Sequence, residues 1–318
     1  MRIRNFILKN KLGIVFKNKK FSELTTIKIG GKIKNLYYPI TISDLLEVLK
    51  YLKKINKDYF ILGNGSNLVV SDNKFNDLVI SGKHLIKQIE FYDDSFVVSG
   101  FMDLRLVISK LIEKNISTFT KLTGIPATIG GAIYMNAGVS DYNISNDLIW
   151  VKYIYENEII KAGKEELYFD YRDSYFKGKK IVIIEACFKT IYDGNTNELY
   201  KEILKNRKDI QPLNYPNCGS IFRNTKDYKA YEVIRRINLV DCMMGGAKFS
   251  EKHANFIVNV NKAKAIDVFR LIEYAKFKAK SMLEIELKEE VILLNFNKKY
   301  HKYNYGKNKK WHFILYTI

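Results

Sequence analysis

The 318-residue chain predicts an α+β fold in two domains. At roughly 100–200 residues per domain the length itself implies two. Residues 23–190 then mix many short apolar runs of strand length with only two amphipathic stretches, so strands and helices do not alternate regularly. Finally, the polar span Tyr192–Asn197, with Asp193-Gly194 inside it, interrupts that pattern before a second set of elements begins. We therefore expect an N-terminal extension at 1–22, domains at 23–190 and 197–295, and a basic tail at 296–318.

Taken in order, residues 1–22 are basic, and the sequence leaves their structure open. The IKIGG turn leads into a strand at Leu36-Tyr37-Tyr38 that ends at Pro39, where a ladder donor is lost. Ile42, Leu45, Leu46, Leu49 and Leu52 then recur at helical spacing. Thr41, with Asp44 three residues on, forms a capping box before them. Tyr59–Leu62, Leu68–Val70, Leu78–Ile80, Ile86–Phe91 and Phe96–Ser99 read as strands. A second helical stripe falls on Leu104, Val107, Ile108, Leu111 and Ile112. Residues 148–155, 167–171 and 181–188 read as strands closing the first domain.

The second domain opens with a helix over about 197–210, with Leu199, Ile203 and Leu204 on one face. A turn at Pro216–Gly219, a helix near 228–238 and a strand near Ala254–Val260 follow. Ala265, Val268, Phe269, Ile272 and Ala275 mark a long helix within Lys264–Lys280, and Glu284–Leu294 reads as the last strand. Residues 297–310, nearly all Lys, Asn and Tyr, read as a disordered or loosely packed tail.

Composition narrows the function classes. A hydrophobic fraction of 47% suits a chain with a sizeable core. The net charge of +19 comes from 53 Lys+Arg against 34 Asp+Glu. Long basic stripes with interleaved aromatics are missing outside the tail, so the charge reads as a solvated surface rather than a nucleic-acid footprint. It still attracts anionic small molecules. Three cysteines at irregular spacing offer neither a disulfide framework nor a zinc site, and four scattered histidines make no metal cluster. The opening apolar patch Phe6-Ile7-Leu8 is too short for a signal segment, and no run is long enough to span a bilayer. The expectation is a cytoplasmic monomer without metal, membrane insertion or nucleic-acid partner.

Two glycine-rich stretches concentrate the chemistry. Residues 122–138, LTGIPATIGGAIYMNAG, hold Gly124, Pro126, Gly130 and Gly131, with Ile125 and Thr128 between them. There peptide N–H groups can converge on an anion. The turn Gly63-Asn64-Gly65-Ser66-Asn67 follows the apolar run Tyr59–Leu62. Two such turns can hold the two phosphates of a dinucleotide cofactor, although no G-x-G-x-x-G opens a helix at 63–67. Asn136 either hydrogen-bonds a planar heterocycle or satisfies loop backbone. Arg172, in Tyr171-Arg172-Asp173-Ser174, is either a surface partner of Asp173 or a planar donor to a carboxylate or enolate oxygen. Ser220 either caps its turn or delivers a proton, since it is not in a nucleophile elbow. At Glu289-Glu290 the expected strand alternation lets only one carboxylate face a cleft. His253 and Asn255 are either loop caps or polar ligand contacts.

Together these residues resemble the UDP-N-acetylenolpyruvoylglucosamine reductase (UDP-N-acetylmuramate dehydrogenase) family of peptidoglycan precursor synthesis. The resemblance runs from about Thr26 to Val291 through ordered motifs: IKIGG at 27–31, LGNGSNLVVSD at 62–72, LTGIPATIGGAIYMNAG at 122–138 and FDYRDSYF at 169–176. QP at 211–212, CGSIFRN at 218–224, GGAKFSEKHANFIVN at 245–259 and LKEEV at 287–291 continue it. The resemblance implies a two-lobed FAD-binding domain of the vanillyl-alcohol-oxidase type followed by a smaller α+β substrate-binding domain. FAD would be noncovalent, held by Gly63, Asn64, Gly65, Ser66, Asn67, Gly124, Ile125, Pro126, Thr128, Gly130, Gly131, Asn136 and Arg172, with NADPH as co-substrate. Arg172, Ser220 and Glu290 fall on the family's catalytic positions, and Tyr171, Asn224, His253 and Asn255 would meet the UDP-sugar. The implied reaction passes hydride from NADPH through flavin N5 to the β-carbon of the enolpyruvyl ether, with Ser220 protonating the α-carbon.

The short spacing between Arg172 and Ser220 resembles the form lacking a long tyrosine-bearing loop. Ala127 departs from the family's usual glycine and requires a negative φ, and Asn295 replaces another glycine. A flavin-dependent oxidase of the same superfamily is the alternative. Many such relatives tether flavin through a histidine beside the glycine turn, but here the turn offers Asn67 and the nearest histidine is His84.

Overall fold

A computed structural model describes residues 2–296 and divides the chain into two compact units. The first gathers 1–17, 34–64 and 76–207; the second gathers 18–33, 65–75 and the described part of 208–318. The units are thus discontinuous, and their boundary falls at Arg207, inside a helix that the sequence reading gives wholly to the second domain. The expected tail at 297–310 lies outside the described residues.

The first unit contains a five-stranded antiparallel sheet in the order Glu158–Gly163, Leu148–Tyr155, Val182–Lys189, Ser95–Ser99, Ile89–Phe91. The helix Leu104–Ile112 buries Leu104, Val107, Ile108, Leu111 and Ile112 in the same core, as its sequence stripe predicts. Phe96, Phe119 and Phe188 anchor that core, with Phe119 and Phe188 edge-to-face at 4.7 Å between ring centroids. Nearby, Tyr59–Ile61 pairs in parallel with Leu78–Ile80, and the helix Ile42–Lys54 covers this region with Leu45, Val48, Leu49 and Leu52. Its predicted capping box is present: the Thr41 hydroxyl accepts from the Asp44 N–H and the Asp44 carboxylate from the Thr41 N–H, both at 3.0 Å.

The second unit is built on a four-stranded sheet in the order Asn217–Ser220, Phe256–Asn259, Ala247–Phe249, Met243–Met244. The helices Ala230–Arg236 and Ala265–Leu283 share its core through Val233, Ile234, Val268, Leu271, Ile272 and Ala275. Ile27, Ile29 and Val69 are buried in the same core, which explains why two early segments group with the C-terminal part. Leu68–Val70 also pairs in parallel with Ile292–Leu294.

Residues 1–22, whose structure the sequence leaves open, hold a helix Ile3–Lys9 and a strand Ile14–Phe16. Two expectations are corrected. The strand expected at 167–171 shrinks to Phe169–Asp170, which turns back through Tyr171-Arg172 to Asp173–Ser174. The last strand is Ile292–Leu294 alone. Glu284 ends the preceding helix in the left-handed region at φ 59°, and the stretch after it buries Leu287 and Val291 without a continuous ladder.

Candidate active site

Each glycine stretch acquires its shape from local constraints. Leu62 donates to the Ile80 carbonyl at 2.8 Å, ending the ladder where the turn 63–67 begins. Among the described residues the N–H groups of Gly63, Asn64, Gly65, Ser66 and Asn67 have no protein acceptor. Five successive free donors around Gly65, at φ +62°, are available to an anion. A Cβ on Gly65 would approach the Leu24 carbonyl to 2.5 Å, so the conformation and the space both demand glycine.

The second stretch is pinned onto residues 100–104. Leu104 donates to the Ala127 carbonyl at 2.8 Å, Ile129 to Met102 at 2.9 Å and Gly130 to Gly100 at 2.7 Å. Thr128 caps the short helix Ile129–Tyr134, its hydroxyl accepting from the Gly131 N–H at 3.1 Å. The N–H groups of Ile125, Ala127, Ile129, Gly130 and Gly131 are therefore spent inside the protein, and Pro126 has none. The free donors are those of Gly124, at φ +83°, and Thr128. Ala127 is not among the positive-φ residues, so its methyl group is accommodated as the departure from glycine requires.

The start of the first turn meets the second stretch within the first unit. A Cβ on Gly63 would lie 2.8 Å from the Thr128 hydroxyl oxygen. Asn64 donates through its side-chain amide to Asp103 at 2.8 Å, and Asp103 receives a two-pronged contact from Arg105 at 3.0 and 2.7 Å. Burial would push the Asp103 carboxyl up, but the hydrogen bonds and charge of Arg105, with Asn64, hold it below the ordinary carboxylate range. Sequence reasoning missed Asp103 and Arg105, although an Asp directly before the helical stripe at Leu104 is a capping signal.

Arg207 was missed as well, and no motif marks it. Its guanidinium donates to the Thr123 carbonyl at 2.6 Å and packs against Gly124, where a Cβ would stand 3.1 Å from its Cδ. Burial lowers its pKa.

Asn136 is 2% exposed and sits at φ 42°. Its side-chain N–H donates to the Asp170 carbonyl at 2.8 Å, while its Oδ1 is buried without a partner. An orphaned buried acceptor of this kind fits a ligand donor. The Asp170 contact also places Asn136 beside the turn that carries Arg172. Arg172 adopts φ 53°, unusual for a long side chain. Its guanidinium donates to the Gly138 carbonyl at 2.7 Å and lies over the Tyr171 ring at 4.9 Å. Gly138, Asn136, Tyr171 and Arg172 are thereby neighbours.

In the second unit, Ser220 ends the strand Asn217–Ser220 just after Gly219 at φ +76°. The next residue, Ile221, accepts at its carbonyl from the Glu290 N–H at 2.8 Å. Asn67 donates to the Glu290 carbonyl at 3.1 Å. The Asn67 side chain and Ile221, the residue after Ser220, are thus both held to the backbone of Glu290. Glu289 pairs with Lys276 at 2.9 Å. Both glutamates precede the last strand rather than lying in it.

Asn255 clamps this region from below: its amide accepts from the Phe222 N–H at 2.9 Å and donates to the Phe222 carbonyl at 2.8 Å. Both ends of its amide are used there. Asn224 is exposed, and its Oδ1 accepts from the Ala230 N–H at 2.9 Å. His253 packs against Tyr231 and Phe256, and burial together with the Arg235 charge lowers its pKa. Cys218 is fully buried and its thiol is pushed up to about 12 by that burial, which removes it as a nucleophile. Among the described residues no group of acidic, His or Cys side chains has metal-ligand geometry, and no helix is long and apolar enough to cross a membrane.

These features fit a flavin dinucleotide: free amides at two glycine turns, and an orphaned buried acceptor at Asn136. Comparison with known proteins agrees. The model of the FAD binding domain family matches residues 33–161, and that of the UDP-N-acetylenolpyruvoylglucosamine reductase C-terminal domain matches 211–294. The reductase of that name from Fervidobacterium nodosum is 33% identical over 87% of this chain and 91% of its own. Its counterpart from Caldicellulosiruptor bescii is 35% identical over 89% and 92%. The crystal structure of the Thermus caldophilus enzyme superposes with a TM-score of 0.74 at 26% identity, covering 89% of this chain and 98% of that one. The α+β class expected from the sequence, an FAD-binding domain with a smaller C-terminal domain, holds. The chain belongs to the UDP-N-acetylenolpyruvoylglucosamine reductase family of FAD-dependent oxidoreductases.

Proposed function

We propose that the protein reduces the enolpyruvyl ether of UDP-N-acetylglucosamine enolpyruvate to UDP-N-acetylmuramate, with NADPH as the electron source. The observation that supports this reading is the main-chain hydrogen bond from Glu290 to Ile221, which links two distant motifs next to Ser220. FAD, when bound, supplies hydride transfer between a nicotinamide and a carbon–carbon double bond. The free amides of residues 63–67 and those of Gly124 and Thr128 would hold its diphosphate, and Asn136 Oδ1 would accept a hydrogen bond from it.

Hydride arriving at the β-carbon of the ether leaves negative charge on the α-carbon and its carboxylate. Arg172 stabilises that charge; its stiff turn and the contact to Gly138 aim the guanidinium at little entropic cost. Glu290, when protonated, assists by donating a hydrogen bond to the same group. The Ser220 hydroxyl gives its proton to the α-carbon and completes the saturated lactyl ether. The side chains that hold the nucleotide sugar are Tyr171 and Asn224, with His253 shaping the apolar wall. Asn255 acts behind them by fixing the strand that carries Ser220.

The test is an absorption spectrum of the purified protein. The reading expects a flavin spectrum that acid releases from the protein, bleaches with NADPH and returns with the enolpyruvyl UDP-sugar without oxygen. A colourless protein that takes up no FAD, or recovery only with oxygen, would contradict it; the latter result would favour an oxidase.

A further inference from the structure

A cleft of about 830 Å³ lies wholly within the second unit, and none of the residues assigned above to flavin, substrate or catalysis lines it. Lys20, Lys28, Lys32, Lys74 and Lys262 border it, facing one carboxylate, Asp72. Among the described residues none of these five lysines has an acidic partner. Asp72 is itself committed, since its Oδ2 accepts from the Ala265 N–H at 2.9 Å.

The walls are fixed by contacts that do not involve lysine charge. A Cβ on Gly31 would sit 2.2 Å from the Asp72 carbonyl oxygen, so 28–32 lies directly on 72–74. Asn259 ties the third wall in, donating to the Ile27 carbonyl at 3.1 Å and accepting from the Ala263 N–H at 2.9 Å. Lys28 and Lys262 both adopt left-handed φ, at 56° and 47°, and Gly30 sits at +126°. Three chain segments therefore bring five cations against one carboxylate to one concavity, where like charges repel unless an anion enters.

We propose that this cleft binds a compact polyanion carrying two or more phosphate groups. Its volume is in the range of small-molecule sites, about 300–1,000 Å³, whereas a nucleic acid would need an extended basic stripe. The shared chemistry is an oligophosphate chain, free or on a nucleoside.

Calorimetric titration of the full-length flavoprotein with inorganic tripolyphosphate and, separately, with ATP tests this at about 0.15 M salt. Saturable binding at one site is expected. It weakens about tenfold or more, close to 1.4 kcal/mol, in the double variant Lys32→Gln/Lys74→Gln and in Lys20→Gln/Lys262→Gln. It is unchanged in Lys57→Gln/Lys87→Gln, which removes equal charge from exposed positions of the other unit. Equal affinity for the two probes assigns recognition to the phosphate chain, and tighter ATP binding adds a nucleoside contact. Absence of saturable binding, or the same loss in the Lys57/Lys87 control, overturns the proposal by showing only diffuse attraction to a basic protein.

Discussion

The main-chain N–H of Glu290 donates to the carbonyl oxygen of Ile221 at 2.8 Å, setting the glutamate beside the residue that follows Ser220. Its neighbour Glu289 instead pairs with Lys276 at 2.9 Å. On the proposed function, the two carboxylates are expected to have separable duties. Glu290→Gln is expected to lower turnover on the order of a hundredfold, the scale of losing one positioned group at developing charge. Glu289→Gln should leave turnover nearly intact and mainly affect stability. Steady-state rates for the pair, measured under saturating NADPH, distinguish the assignments; equal losses in both would refute them.

Gly63 faces Thr128 so closely that a methyl group would intrude to 2.8 Å from its hydroxyl oxygen. Gly63→Ala should weaken flavin uptake by about tenfold, or 1.4 kcal/mol, read by fluorescence quenching of FAD titrated into apoprotein. Gly63 is not at positive φ, so the effect reports crowding rather than backbone strain. Adding Thr128→Ser to Gly63→Ala keeps both the helix cap and the crowding oxygen, the removed methyl group standing at an uncrowded 3.7 Å, and should recover little of the loss.

Removing the Asn255 amide strands the buried N–H and carbonyl of Phe222. Asn255→Ala should cost about 1–3 kcal/mol of stability, measured by urea unfolding. It should also slow turnover more than it weakens NADPH-dependent flavin reduction, because it loosens the strand bearing Ser220.

His253 is kept neutral by burial, with the Arg235 charge adding to the effect. Its folded pKa lies below its ordinary 6.5, so the unfolded chain binds the proton first as pH falls. Stability should decline from about pH 6.5 downward and level off below the lowered folded value. His253→Phe should flatten that part of the pH–stability curve; an unchanged slope would show that His253 does not set it.

Much of this was legible in the sequence where the signal is local. Apolar spacing fixed the helices starting at Ile42 and Leu104, and Thr41 with Asp44 marked a cap that the structure contains. The glycine turns announced themselves because only glycine suits Gly65 and Gly124 at positive φ. Non-local pairing was not legible. Nothing in Ile27, Ile29 or Leu68–Val70 reveals that they join the core and last strand of the C-terminal part. The overlong strand at Glu284–Leu294 has the same origin: Leu287 and Val291 alternate with glutamates and are buried, yet a ladder partner begins only at Ile292. Arg207 carries no motif, since its role arises from its packing against Gly124.

Rapid mixing of the Ser220→Ala variant tests the proton-donor assignment most directly. The account predicts flavin reduction by NADPH at close to the normal rate, followed by reoxidation with the enolpyruvyl UDP-sugar slowed on the order of a hundred- to a thousandfold. Reoxidation at the unaltered rate, with product formed, would mean that the proton comes from elsewhere and that Ser220 merely ends its strand.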